Sequence, residues 1–230
     1  MKVHAIICTR SREQVTQTTD KLLSFLCRCN IGIYLLSGAK SIFAAYEGAY
    51  KKINPEKDDI IIFCHDDIEI RETPETFLQK LSQLLDLPET GFVGPAGTTS
   101  LGESAVWWDL DRWKDNRHKG KVMHLDKLGR EYMTKYGPPS DVVVLDGLFL
   151  AAKPKVIEDV GLKKPEYFKG EWDFYDIHYT SQAFQKGYTN KVIDLNILHN
   201  SRGELVGRDS WEENRQAFIE KTQLPLEIKD

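Results

Sequence analysis

The chain has 230 residues, 41% of them hydrophobic and 29% charged, with a formal net charge of −4. That length suits one large α/β domain or two small ones and can bury a sizeable core. The acidic balance excludes a wholesale nucleic-acid binder, because no global basic field would steer it to phosphate. No stretch approaches the run of roughly 20 apolar residues that crosses a bilayer. Val3–Cys8 reads as a buried first strand. Its apolar run is too short, and too soon interrupted by charge, for a signal peptide. The expected location is cytoplasmic, with membrane contact only peripheral, through a partner or an acceptor. Cys8, Cys27, Cys29 and Cys64 form no Cys-x-x-Cys pair, so they are read as reduced, half-buried core thiols.

In chain order, a helix is expected over Glu13–Arg28, with Val15, Leu22, Phe25 and Leu26 on its apolar face, and a strand over Ile31–Leu36. Ile42, Ala45, Tyr46, Ala49, Tyr50 and Ile53 share one face of a 3.6-residue period, and Asn54-Pro55 stops that helix. Ile60–Cys64 is a continuous apolar run of strand length, as in a central strand covered on both faces. Thr73-Pro74 starts a helix whose buried stripe is Phe77, Leu78, Leu81, Leu84 and Leu85. Residues 100–140 loosen into a long excursion holding Trp107, Trp108 and Trp113 among Arg112, Lys114, Arg117, Lys119 and Lys121. Val142–Leu145 returns as a strand. A short helix over Pro154–Val160, a helix over Asp176–Lys186, a strand over Lys191–Asp194 and a last helix over 211–222 complete the reading. This alternation predicts an α/β fold: a single domain over 1–230, with a mostly parallel central sheet flanked by helices.

Chemistry-bearing residues gather at strand ends. His65-Asp66-Asp67 follows the central strand, where open parallel sheets bind ligands. A short acidic step there suits a divalent cation that neutralises a diphosphate leaving group. The bland alternative is a solvated turn. Asp146-Gly147 repeats the arrangement after a second apolar strand, and its glycine lets backbone approach a ligand closely. In Glu171–His178, Asp173 and Asp176 are three apart, and Asp176 suits either a helix cap or a general base. Trp172 and Tyr175 suit a sugar-stacking wall or a core corner. His199 ends a further strand before a glycine-containing loop, which favours a ligand role. The tryptophan-rich segment reads as an anchored loop, as a saccharide acceptor surface through Trp107 and Trp108, or, least of all, as a nucleic-acid acceptor surface.

Together these residues resemble the glycosyltransferases of the GT-A fold, in their family-2-like group, from Val3 to about Gly203. The resemblance implies a nucleoside-diphosphate sugar donor, uridine-based, a saccharide or other hydroxyl acceptor, and Mn²⁺ or Mg²⁺. Ile6–Arg10 matches the family's first strand, so Thr9 and Arg10, with His65 and Asp66, are expected at the nucleotide. His65-Asp66-Asp67 matches Asp-x-Asp, with His65 in place of the first acid and Asp67 the metal ligand. His199 matches the late histidine that completes the metal shell in some relatives. Tyr175-Asp176 matches the Glu-Asp pair, with Tyr175 in place of Glu, Asp176 as the base of an inverting transfer and Asp173 as its rival. Asp146, Gly147, Trp107, Trp108 and Trp172 are expected at the donor sugar or acceptor. A nucleotidyltransferase is the rival enzyme, although Cys8–Arg12 lacks its glycine-rich loop. A non-catalytic sugar-nucleotide-binding domain is the rival binder. Sugar, acceptor and oligomeric state are not encoded legibly.

Overall fold

The computed structural model describes residues 1–9, 16–109, 113–200 and 209–228. Its strands in chain order are β1 (Val3–Thr9), β2 (Gly32–Ser37), β3 (Ile60–His65), β4 (Ile68–Ile70), β5 (Thr90–Gly94), β6 (Ala96–Thr98), β7 (Ser100–Leu101), β8 (His118–Leu125), β9 (Glu131–Gly137), β10 (Asp141–Val142), β11 (Val144–Leu145), β12 (Phe149–Ala152), β13 (Thr189–Val192), β14 (Ile197–His199) and β15 (Leu226–Glu227). The described helices are α1 (Gln17–Arg28), α2 (Ile42–Ile53), α3 (Pro74–Leu85), α4 (Pro154–Val160), α5 (Tyr175–Gln185) and α6 (Asp209–Lys221).

A seven-stranded sheet, ordered β10-β13-β5-β12-β3-β1-β2, forms the centre. The α/β class and the large central sheet are as expected; the pairing within the sheet is mixed. The β1–β2, β1–β3 and β5–β13 pairs are parallel, whereas β12 runs antiparallel to both β3 and β5. β10 likewise runs antiparallel to β13. β12 is entered from β11 of the second sheet through the Asp146–Leu148 turn. Residues 60–64 are fully buried, as their unbroken apolar run requires.

A second sheet, ordered β11-β6-β8-β14-β4 with β9 beside β8, leans on the first. Several segments pass from one sheet to the other. β5 continues through Pro95 into β6, and β10 continues through Val143 into β11. Val142–Leu145 is therefore two short strands in two sheets rather than one strand. All four residues are buried. The 100–140 excursion is largely a β8–β9 hairpin. A register shift at Gly120 bends it, and there φ is +91° and a Cβ would meet the Pro95 carbonyl at 2.0 Å.

The helices begin where their caps are. Thr16 accepts from Thr19 N–H, Ser41 from Ala44 N–H and Thr73 from Thr76 N–H. The first helix thus starts at Gln17 rather than Glu13; positions 13–15 lie outside the described residues. Asn54 closes α2 in the left-handed region at φ 47°. Cys8, Cys29 and Cys64 are buried and outside any disulfide, and Cys27 is exposed instead. Among the described residues, no helix is long and apolar enough to cross a membrane.

Candidate active site

The seam between the two sheets brings distant residues together. β3 ends at His65, and the turn through Asp66 and Asp67 hands the chain to β4 in the second sheet. β14 pairs with β4, placing His199 opposite Ile68 and next to Asp67; Asn200 N–H closes on the Asp67 carbonyl at 2.8 Å. Thr19 of α1 holds the turn from the other side through the Asp66 carbonyl, 3.0 Å away. Asp66 is half-buried beside the group.

The side chains of His65, Asp67 and His199 each offer one ligand atom, and these atoms lie within 4.8 Å of one another. Asp67 Oδ1 is 3.7 Å from His65 Nδ1 and 3.4 Å from His199 Nε2, yet it is buried and makes no hydrogen bond. Burial alone would raise the Asp67 pKa, but the contact with His199 and the charges of His65 and His199 hold it below the ordinary range. Burial would lower His199, and Asp67 and Asp146 raise it overall. A buried carboxylate oxygen that makes no hydrogen bond, faced by two ring nitrogens, is what a bound cation would satisfy. Two nitrogens with one oxygen suit Mn²⁺ better than the harder Mg²⁺.

Tyr175 sets the orientation of His65. Its hydroxyl donates to the Gly147 carbonyl at 2.8 Å and lies 2.9 Å from His65 Nε2. A hydroxyl has one proton to give, so His65 Nε2–H is the donor of that second bond. The lone pair then sits on Nδ1, the nitrogen facing Asp67. This is the usual way a ligating histidine is fixed from behind.

Asp146, Gly147 and Leu148 lie alongside because β12 is paired with β3: His65 N–H donates to Leu148 O at 3.0 Å. α5 begins over this turn. Phe174 enters it in the left-handed region at φ 70°, a strained conformation for a bulky residue, and offers no side-chain cap. The Asp176 carboxylate reaches across to accept Gly147 N–H at 2.9 Å. A Cβ on Gly147 would come within 2.5 Å of the Tyr175 hydroxyl and 2.8 Å of Asp176 Cβ, so only glycine permits this approach. Burial, and then the neighbouring Asp146 carboxylate, push Asp176 up to about 7. Burial also raises Asp146, whose carboxylate accepts from Leu148 N–H at 2.9 Å. Thr9 ends β1 buried, one residue past the Cys8–His65 pair, which puts the first strand's end next to the cluster.

A family model described as "Glycosyltransferase like family" matches residues 5–222. The chain belongs to this glycosyltransferase-like family. The streptomycin biosynthesis protein StrF of Streptomyces griseus is 23% identical over 187 residues, 79% of this chain and 61% of that protein. The chain thus spans about three-fifths of that relative's length. The crystal structure of A197 from STIV aligns at 14% identity with a TM-score of 0.54, over 87% of this chain and 86% of its own, a likeness of fold alone. A glycosyltransferase involved in the glycosylation of the major capsid of PBCV-1 aligns at 7% identity with a TM-score of 0.45, over 94% and 100% of the two chains.

For this member of the family, the structure joins His65, Asp67, Asp146, Gly147, Tyr175, Asp176 and His199 in one cluster. Other expected residues lie elsewhere. Asp173 accepts from the Ser210 hydroxyl at 2.7 Å, and its carbonyl accepts from buried Asn214, so its contacts tie it to α6. Trp107 is 2% exposed, packed against Trp108, His118 and Tyr136; as a core residue it has no face free for a sugar. Trp108 is half-buried against Trp211. Trp172 is half-buried, and its indole N–H donates to Lys40 O, anchoring the loop before α2. Arg10, Arg112 and residues 201–208 lie outside the described residues. The sequence reading passed over His124, which pairs with His199 across β8 and β14. Its signal was the Asp126–Gly129 turn between two strand-length runs, which marks a hairpin.

Proposed function

We propose that this chain moves a sugar from a nucleoside-diphosphate sugar, uridine-based, to an acceptor hydroxyl with inversion at the anomeric carbon. One observation carries the reading: the Asp67 oxygen between His65 and His199 that makes no hydrogen bond, with the Asp176 carboxylate held by Gly147 on the same side of the seam. His65, Asp67 and His199 would hold the cation. When bound, it would neutralise the charge growing on the diphosphate. Thr9 would border the nucleotide at the end of β1, beside Ser37 at the end of β2.

Asp176 takes the acceptor's proton. The acceptor oxygen then bonds to the anomeric carbon, the bond from that carbon to the diphosphate oxygen breaks, and its electron pair leaves with the diphosphate. A carboxylate raised to about 7 is a stronger base than an ordinary aspartate while still ionised near neutrality. One base suffices for a direct displacement, whereas retention needs a positioned nucleophile as well, by analogy with glycosidases.

The test is a panel of nucleotide sugars with and without Mn²⁺, scored for nucleoside-diphosphate release and for product stereochemistry by NMR. Metal-dependent release with inversion is expected. Retention would remove Asp176 from the role of direct base, and tight donor binding with no release would mark a binding domain instead.

A further inference from the structure

A row of rings leads outward from the candidate metal group. Ring centroids of His65 and His199 are 5.5 Å apart, those of His199 and His124 6.2 Å, and those of His124 and Tyr132 5.4 Å. The last three residues sit on neighbouring strands of the second sheet. His199 lies directly opposite His124, and His124 directly opposite Tyr132. Residues opposite one another on paired strands project from the same face. All three therefore face the side of the sheet on which His65 and Asp67 lie. Tyr132, at the outer end of the row, is 51% exposed, whereas the His199 side chain is 18% exposed.

Tyr132 buries too little to serve the core, yet its ring is inclined only 31° to that of His124. His124 is in turn within electrostatic reach of both His199 and Asp146. The direction of the row also matters. The second sheet runs from β4, which pairs with β14, through β14 to β8 and β9. Lys21 of α1 meets Glu69 of β4 at 2.9 Å, so the β4 edge is the one nearest α1 and the first strand's end. The β9 edge is the opposite one in strand order, β9 pairing with β8.

We propose that Tyr132, braced on His124, is the stacking platform for the saccharide ring of the acceptor. The proposal rests on the reading of this site as a sugar transferase. A pyranose presents an apolar C–H face and a rim of hydroxyls. The face of an aromatic ring carries negative quadrupole charge that attracts polarised C–H groups, and a half-exposed tyrosine offers that face without prior rearrangement. His124 and Asp146 stand at the inner edge of the platform, where hydroxyls of a stacked sugar would meet hydrogen-bonding partners. The role expected of Trp107 falls to Tyr132, one hairpin further along the chain.

Two assays on the full chain test this, with Tyr132→Ala and Tyr132→Phe beside the wild type. The first follows Mn²⁺-dependent release of UDP from UDP-glucose, UDP-galactose and UDP-N-acetylglucosamine in water, which needs no acceptor. The second measures binding of a panel of methyl glycosides by saturation-transfer NMR in the presence of UDP and Mn²⁺. Tyr132→Ala is expected to weaken glycoside binding by about tenfold, with UDP release within about twofold of wild type and an unchanged thermal midpoint. Tyr132→Phe, which keeps the ring, is expected to match wild type in both. Glycoside binding by Tyr132→Ala equal to that of wild type, or no glycoside binding by wild type, overturns the platform. A loss confined to UDP release overturns it in favour of the donor sugar. Absence of UDP release from wild type defeats the transferase reading and is scored in a separate arm from glycoside binding.

Discussion

His65 and Tyr175 are the two positions at which the cluster departs from the acidic pairs of its resemblance, and the structure makes them one change. An aspartate at 65 would need no partner for orientation, but an imidazole has two nitrogens and must present the right one. The Tyr175 hydroxyl, committed to Gly147 O, leaves His65 Nε2 to donate and turns Nδ1 toward Asp67. Tyr175→Phe should therefore weaken Mn²⁺ binding roughly 10- to 100-fold with little change in fold, as read by metal titration of the thermal midpoint. Asp176→Asn should keep donor binding and lose about 10²- to 10⁴-fold in transfer rate. The pH dependence has a definite sign. As the proposed base, Asp176 would work only when ionised, and its pKa is raised from 3.8 to about 7, so activity is expected above the raised value and lost as pH drops through it. A cation nearby favours the ionised form, so the inflection belongs between those two values. Asp146→Asn removes the like charge and should move the inflection further down. An acid limb that stays put in this variant would refute the coupling.

Among elements, the α5 N-terminus and the Asp146–Leu148 turn act as one unit. The turn packs so closely that a methyl group at Gly147 would have to displace Tyr175 or Asp176. Gly147→Ala is expected to abolish transfer and to weaken metal binding as well, because both side chains hang on the same backbone group. Behind this unit, buried Asn190 of β13 bonds Phe92 N–H of β5, the Thr180 carbonyl of α5, and the carbonyl of Val143 between β10 and β11. Its removal would leave the Phe92 N–H and the Val143 carbonyl without this partner, whereas the Thr180 carbonyl stays within the α5 hydrogen-bond ladder. Asn190→Ala should cost about 3 kcal/mol or more, measured as a lowered urea midpoint. The periodicity of α2 and the apolar run of β3 were legible because each is decided locally, by a 3.6-residue stripe or by burial on both faces. Val142–Leu145 was not legible as two strands. An apolar run looks the same whether one sheet or two sheets cover it.

For the molecule as a whole, the decisive feature is the seam. Asp67 and His199 are 132 positions apart in the chain and meet because β4 and β14 pair. Mn²⁺ at a hundred times its dissociation constant should stabilise the fold by about 2.7 kcal/mol. The effect should vanish with EDTA and in Asp67→Ala. A thermal shift that survives in Asp67→Ala would place the cation elsewhere.

The sequence by itself determined the α/β class, the helix stripes, the buried central strand and the residue types able to bind a cation and take a proton. These follow from local periodicity and from the chemistry of individual side chains. The tertiary structure alone decided which of those residues meet. It drew Asp173 to α6 and Trp107 into the core, paired Tyr175 with His65, and brought His124 and Tyr132 alongside His199. Strand pairing between distant segments sets those neighbours, and a one-dimensional pattern carries no record of the partner a strand will choose.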